Sequence, residues 1–129
     1  MVTVSVILPV YDCVDYFKEC MESLGAQTFQ DFEIIIIDDK SFDGTEKMID
    51  VYDKILPNVK VIRHDHNKGV GESLNDGLVA SAGKYIAIQH GDDVSLPQRL
   101  EKEVHYLDNN PNKALVGTWG QMIDSQGNE

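Results

Sequence analysis

Apolar residues along this chain switch repeatedly between unbroken runs of strand length and the three-to-four-residue spacing of a helix. The run TVSVILPV, residues 3–10, is rich in β-branched side chains and predicts a strand stopped by Pro9. Phe17, Cys20, Met21 and Leu24 then recur at helical spacing, which predicts a helix over about residues 15–27. A second strand is expected over residues 32–38, FEIIIID, where the lack of polar alternation implies burial on both faces. Asp43 with Glu46 three residues on has the form of a capping box, and Met48, Ile49, Tyr52, Ile55 and Leu56 make the inward face of the helix it starts, which Pro57 ends. Residues 59–64, VKVIRH, read as a third strand. Leu74, Leu78 and Val79 mark a helix over about residues 71–81, closed by Gly83. A fourth strand follows over residues 84–89, then a helix entered through Pro97 and marked by Leu96, Leu100, Val104 and Leu107. ALVGTW, residues 114–119, reads as a fifth strand.

The order βαβαβαβαβ implies an α/β fold: a mostly parallel, Rossmann-like sheet with helices on both faces and right-handed crossovers. Such folds bind ligands beyond the carboxyl ends of their strands, where Tyr11, Asp38, Asp39, Asp92 and Asp93 all fall. The final stretch, MIDSQGNE, reads as a strand entering a Gly-Asn turn and going no further, so the chain is expected to be the front part of a longer domain, truncated at its C-terminus.

Charge narrows the partners. A formal net charge of -11 at pH 7 disfavours nucleic acid or an anionic membrane surface, since both require a basic face. A phosphorylated ligand stays compatible if a divalent cation stands between it and the acidic groups. No apolar run approaches the roughly 20 residues of a membrane span, and MVTVSVILPVYD lacks the basic region and cleavage site of a signal peptide. A cytoplasmic location is therefore expected, peripheral to a membrane only through regions outside the chain. Cys13 and Cys20 form no CxxC and are expected as small, buried or half-buried helix residues.

Several motif-like stretches fail on context. GVGES, residues 69–73, lacks the third glycine of a dinucleotide fingerprint, and the Gly-Lys of SAGKY leads from helix to strand, the reverse of a P-loop. His64 and His66 are expected to be solvated near a strand end, and His105 to lie on a charged helix surface.

The acidic pairs are harder to dismiss. The strand IIII runs straight into Asp38 and Asp39, and YIAIQHG runs into Asp92 and Asp93. Adjacent like charges beside a dry core repel and lose hydration, so a group outside the protein is expected to compensate them. Asp43 is adequately explained as a cap. Asp39 has less to do in a purely structural account, and its carboxylate can accept from the N–H of a base. Hard divalent cations suit Asp92 and Asp93.

Taken together, VSVILPVYD, QTFQDFEIIIIDDKSFDGT, HNKGVGESLNDGL, GKYIAIQHGDDVSLPQRLEKEV and ALVGTW, in that order, resemble the N-terminal, nucleotide-binding part of a family 2 glycosyltransferase of GT-A fold. The resemblance implies that residues 1–129 are a nucleotide-sugar-binding portion and that the donor is a UDP-sugar. Pro9, Val10 and Tyr11 would frame nucleobase and ribose, Asp39 would accept from the uracil ring, and Lys68 would face the diphosphate. Asp92 would lie by the ribose and phosphates, and Asp93, with Asp92, would hold Mn²⁺ or Mg²⁺. Transfer to an unknown hydroxyl acceptor (glycan, lipid or other) would proceed with inversion, through a catalytic base beyond residue 129, leaving this fragment inactive alone. The chain departs from the family pattern at Asp12, usually Asn, at Lys40, usually Gly, and at His90, which stands at the first acidic position of DxDD. A non-catalytic sugar-nucleotide-binding relative, or a phosphorelay receiver domain, is the alternative; a receiver's acidic pair follows its first strand, which here ends in PVYD.

Overall fold

The computed structural model describes residues 1–129. Its elements are β1 (Val4–Val10), α1 (Val14–Gly25), β2 (Phe32–Asp38), α2 (Thr45–Ile55), β3 (Val59–Arg63), α3 (Val70–Ala80), β4 (Tyr85–Ile88) and α4 (Arg99–Asn109). All pairings are parallel, in the order β3-β2-β1-β4. The two strands richest in apolar residues, β1 and β2, are central, and every residue of both is buried, the polar Ser5, Glu33 and Asp38 included. One sheet face packs Val6, Leu8, Ile34 and Ile36 against Phe17 and Leu24 of α1, Ile49 of α2 and Leu100 of α4. The other packs Ile7, Ile35 and Ile37 against Leu74 and Ala80 of α3.

Four expectations need correction. Pro9 does not stop β1, which pairs with β2 as far as Val10. What Pro9 ends is pairing on the β4 side. Ile7 O still accepts from Gln89 N, but two residues on there is no N–H to offer, and β1 and β4 part. Helix α3 faces inward with small residues: Ser73 and Gly77 are buried, while Leu78 and Val79, expected inside, are exposed. A Cβ on Gly77 would lie 2.5 Å from Ile7 Cγ2, so close approach to the sheet replaces large side chains as the packing solution. Ile55, the last residue of α2, and Leu96, in the loop ahead of α4, are likewise exposed. Finally, residues 114–119 form no strand. Nothing pairs with their backbone, and Leu115 and Trp119 stand in solvent; an extended segment without a neighbour has no ladder to stabilise it.

Candidate functional site

Strand order changes direction between β1 and β4, which puts the crevice of the fold at their carboxyl ends. Two adjoining hollows lie there. A small one, of about 80 Å³, is lined by Pro9, Val10, Tyr11, Asp39, Val70 and Ser73. A larger cleft, of about 430 Å³, shares Pro9, Val10 and Tyr11 and continues over Asp12, Cys13 and Tyr16 to His90, Gly91 and Asp92. Gly91 allows this arrangement: a Cβ there would lie 2.7 Å from Cys13 Sγ and 2.8 Å from Val10 Cγ1. Asp93 and Lys68 flank the hollows without lining them.

The loops after β1 and β2 are stitched together by side chains that cap foreign backbone. Asp12 N donates to Ser41 Oγ, Cys13 N to Thr45 Oγ1, Val14 N to Asp43 Oδ2, and Phe42 N to Asp12 Oδ1. Asp43 also accepts from Thr45 N and Thr45 Oγ1, so one carboxylate serves the starts of both α1 and α2. Burial alone would raise its carboxyl, but those hydrogen bonds outweigh it and hold it below the ordinary aspartate range. The capping residue of α2 is Gly44, whose N–H donates to Glu46 Oε2; a glycine has no side chain to return a bond, so the reciprocal box expected from sequence does not form. Asp12 (φ 45°) and Lys40 (φ 70°) both adopt the left-handed conformation, at the two positions where the sequence departs from the Asn and Gly of the family pattern. Asp tolerates it; for Lys40 it is strain.

The first acidic pair is buried and compensated from within. Asp38 Oδ1 accepts from Ser41 N, and Oδ2 from Arg63 Nη1 at 3.1 Å. Asp39 Oδ1 accepts from Lys68 N at 2.7 Å and from His64 Nδ1 at 2.7 Å, and Oδ2 from Gly69 N at 2.8 Å. Burial would raise the Asp39 carboxyl; His64 and the two amides reverse that and lower it. His64 is therefore not a solvated histidine. It is buried, because the turn at residues 65–69 folds its ring under Asp39. A carboxylate offers about four acceptor positions. Three on Asp39 are filled, and one, on Oδ2, remains.

The second pair is arranged oppositely. Asp92 and Asp93 are exposed, and neither carboxylate has a hydrogen-bond or ion-pair partner within the protein. Their loop, by contrast, is fixed. Gln89 Nε2 donates to Asp93 O at 2.8 Å, while Gln89 Oε1 accepts from Ser95 Oγ and from Arg99 Nη1. Sequence reasoning gave Gln89, Ser95 and Arg99 no role; the available signal was a polar residue directly following an apolar strand and preceding the acidic loop. No group of three or more His, Cys, Asp or Glu side chains is gathered as a closed metal site. Two free carboxylates beside an open cleft still fit Mg²⁺ or Mn²⁺, which take one or two carboxylates and complete their shell with water and ligand phosphates. Burial pushes the thiol of Cys13, which lines the cleft, up to about 11 and that of buried Cys20 to about 12, so both favour the protonated form at neutral pH.

The model of the family described as Glycosyl transferase family 2 matches residues 5–128. Over 125 residues the chain is 38% identical to the putative glycosyltransferase EpsE of Bacillus subtilis (strain 168), covering 96% of this chain and 45% of EpsE. An uncharacterized glycosyltransferase of Methanocaldococcus jannaschii is 38% identical over 127 residues, 97% of this chain and 44% of its own length. Among solved structures, S. aureus TarS 1–349 in complex with UDP matches with a TM-score of 0.78 at 29% identity, covering 84% of this chain and 33% of that one. The same TarS fragment is also known in complex with UDP-GlcNAc. The chain thus spans about half the length of the curated relatives it matches.

Proposed function

Because this chain belongs to glycosyl transferase family 2 and carries the GT-A fold, we propose that residues 1–129 form the nucleotide-sugar-binding portion of an enzyme that moves a sugar from a uridine diphosphate donor to a hydroxyl acceptor, with inversion at the anomeric carbon. The observation that carries this reading is the single acceptor position left on Asp39, in a hollow that opens into the cleft bearing Asp92. One acceptor suits the lone ring N–H of uracil. Guanine presents two adjacent donors and would leave one unpaired in a desolvated pocket.

In this scheme Pro9, Val10 and Tyr11 wall the base and ribose, and Asp39 fixes its orientation. Lys68, whose Nζ stands 3.8 Å from Asp76, is exposed and long enough to swing towards the diphosphate. Asp92 and Asp93 would hold Mn²⁺ or Mg²⁺, which when bound neutralises charge on the departing diphosphate. His90, exposed at the head of the loop, is a poor ligand for the harder ion and is assigned no principal metal contact. The proton of the acceptor hydroxyl is taken by a base outside the chain.

Titration calorimetry of UDP and of GDP with Mn²⁺, Mg²⁺ or chelator tests the reading. UDP is expected to bind with either ion, to bind at least about tenfold more tightly than GDP, a difference of about 1.4 kcal/mol, and to release its heat no longer when chelator is added. Metal-independent binding, or a preference for GDP, would overturn it.

A further inference from the structure

One buried group beside Asp39 fills an acceptor position in that scheme but is given no role of its own. His64 follows β3 with its side chain 2% exposed, and both ring nitrogens are engaged: Nδ1 lies 2.7 Å from Asp39 Oδ1 and Nε2 lies 2.9 Å from Asp76 Oδ2 on α3. A neutral imidazole has one N–H and one lone pair, so between two ionised carboxylates one nitrogen would oppose an oxygen lone pair to lone pair. Only a ring with both nitrogens protonated donates to each side. The other charges near the ring are the Lys68 ammonium, 3.8 Å from Asp76, and the Arg63–Asp38 pair at the end of β3.

The bond to Asp39 decides what that carboxylate can offer. A terminal carboxylate torsion is broad and two-fold, so a carboxylate held by the two amides alone could rock about its axis. With Nδ1–H in place, both lone pairs of Oδ1 are committed, and the only acceptor left is on Oδ2. Asp76 acts at one remove, keeping the ring oriented from the opposite nitrogen.

We propose that His64 is a positioning residue for donor recognition: its Nδ1–H, braced by Asp76 at the far side of the ring, locks Asp39 so that it presents a single acceptor to the base. The assignment rests on Asp39 being the base-recognising carboxylate. It makes His64 a determinant of specificity without contact to the ligand, since loss of the Nδ1 donor frees a second acceptor on Asp39 and with it a place for a two-donor base.

Two near-isosteric variants separate this role from a merely structural one. The amide nitrogen of Asn reaches about where Nδ1 stands, and that of Gln about where Nε2 stands, so His64→Asn keeps the donor to Asp39 while His64→Gln keeps the one to Asp76. Calorimetry of the chain with UDP and with GDP in the presence of Mn²⁺ is expected to show His64→Asn losing less than about threefold in UDP affinity and His64→Gln losing about tenfold or more. The preference for UDP over GDP should narrow only in His64→Gln, with thermal midpoints of the two variants falling alike. In the wild type, ¹⁵N resonances of the His64 ring should show Nδ1 protonated at pH 7. Equal UDP losses in the two variants, or an unprotonated Nδ1, would overturn the role of His64 and leave the donor assignment standing. A wild type that fails to bind UDP would overturn both.

Discussion

Two acidic pairs close two strands of the same sheet, and folding treats them in opposite ways. Asp38 and Asp39 are each 4% exposed, and every charge they carry is answered by Ser41 N, Arg63, His64 or the amides of Lys68 and Gly69. Asp92 and Asp93 stand in solvent with their backbone fixed by Gln89 and their carboxylates unanswered. The expectation that something outside the protein must compensate both pairs therefore holds for neither in the same sense. At the first, compensation is internal, so the pair is part of the structure, with one acceptor position open on Asp39. At the second, burial was never incurred, and two carboxylates are left without a partner in the protein.

The comparison is broken most forcefully at Asp93. Asp93→Ala should lower UDP affinity in Mn²⁺ at least about a hundredfold, roughly 2.7 kcal/mol, while its unfolding free energy stays within about 0.5 kcal/mol of wild type. A stability loss in urea titrations, or unchanged calorimetry, would show that the second pair is structural like the first. The converse holds for Asp39→Asn, which turns one acceptor into a donor facing the N–H groups of His64, Lys68 or Gly69. Urea denaturation should register a loss of about 2 kcal/mol even with no ligand present.

Acid sharpens the contrast further. The carboxyls of Asp39 and Asp43 are lowered in the folded state from the ordinary 3.8. A group depressed in this way favours folding above its unfolded pKa, and that contribution disappears as pH falls through the folded value. Unfolding free energy should thus decline below about pH 4, with a shallower slope in Asp39→Asn than in wild type. Parallel acid profiles for the two proteins would remove Asp39 from the stabilising set.

The smallest effect lies next to the first pair. Lys40 holds φ 70°, a conformation glycine adopts without a steric penalty. Lys40→Gly should stabilise by about 0.5 kcal/mol, because relief of the left-handed strain exceeds the added freedom of the unfolded chain. A lower thermal midpoint for the variant would mean that the Lys40 side chain contributes contacts outweighing its backbone strain.

The sequence by itself determined the class of fold, the burial of the second strand on both faces and the gathering of Tyr11, Asp39 and Asp92 at one sheet edge. These follow from local rules: continuous apolar runs must be buried on both faces, and a parallel sheet delivers every strand's carboxyl end to the same side. Packing decided what local pattern could not express. Helix α3 turned Ser73 and Gly77 inward and left Leu78 and Val79 outside, because its distance from the sheet is set by Ile7 and Ile37 and not by its own periodicity. Residues 114–119 carried a strand's composition yet formed none, since a strand exists only through a neighbour's hydrogen bonds. Asp43 was legible as a cap, but its reach to Val14 was not. The unlike fates of two acidic pairs so similar in sequence were likewise settled elsewhere in the chain. Asp39 owes its compensation to His64, Lys68 and Gly69, residues 25 to 30 positions away. No partner of that kind reaches the carboxylates of Asp92 and Asp93, and a charge's environment is a property of three-dimensional neighbours that spacing along the chain does not encode.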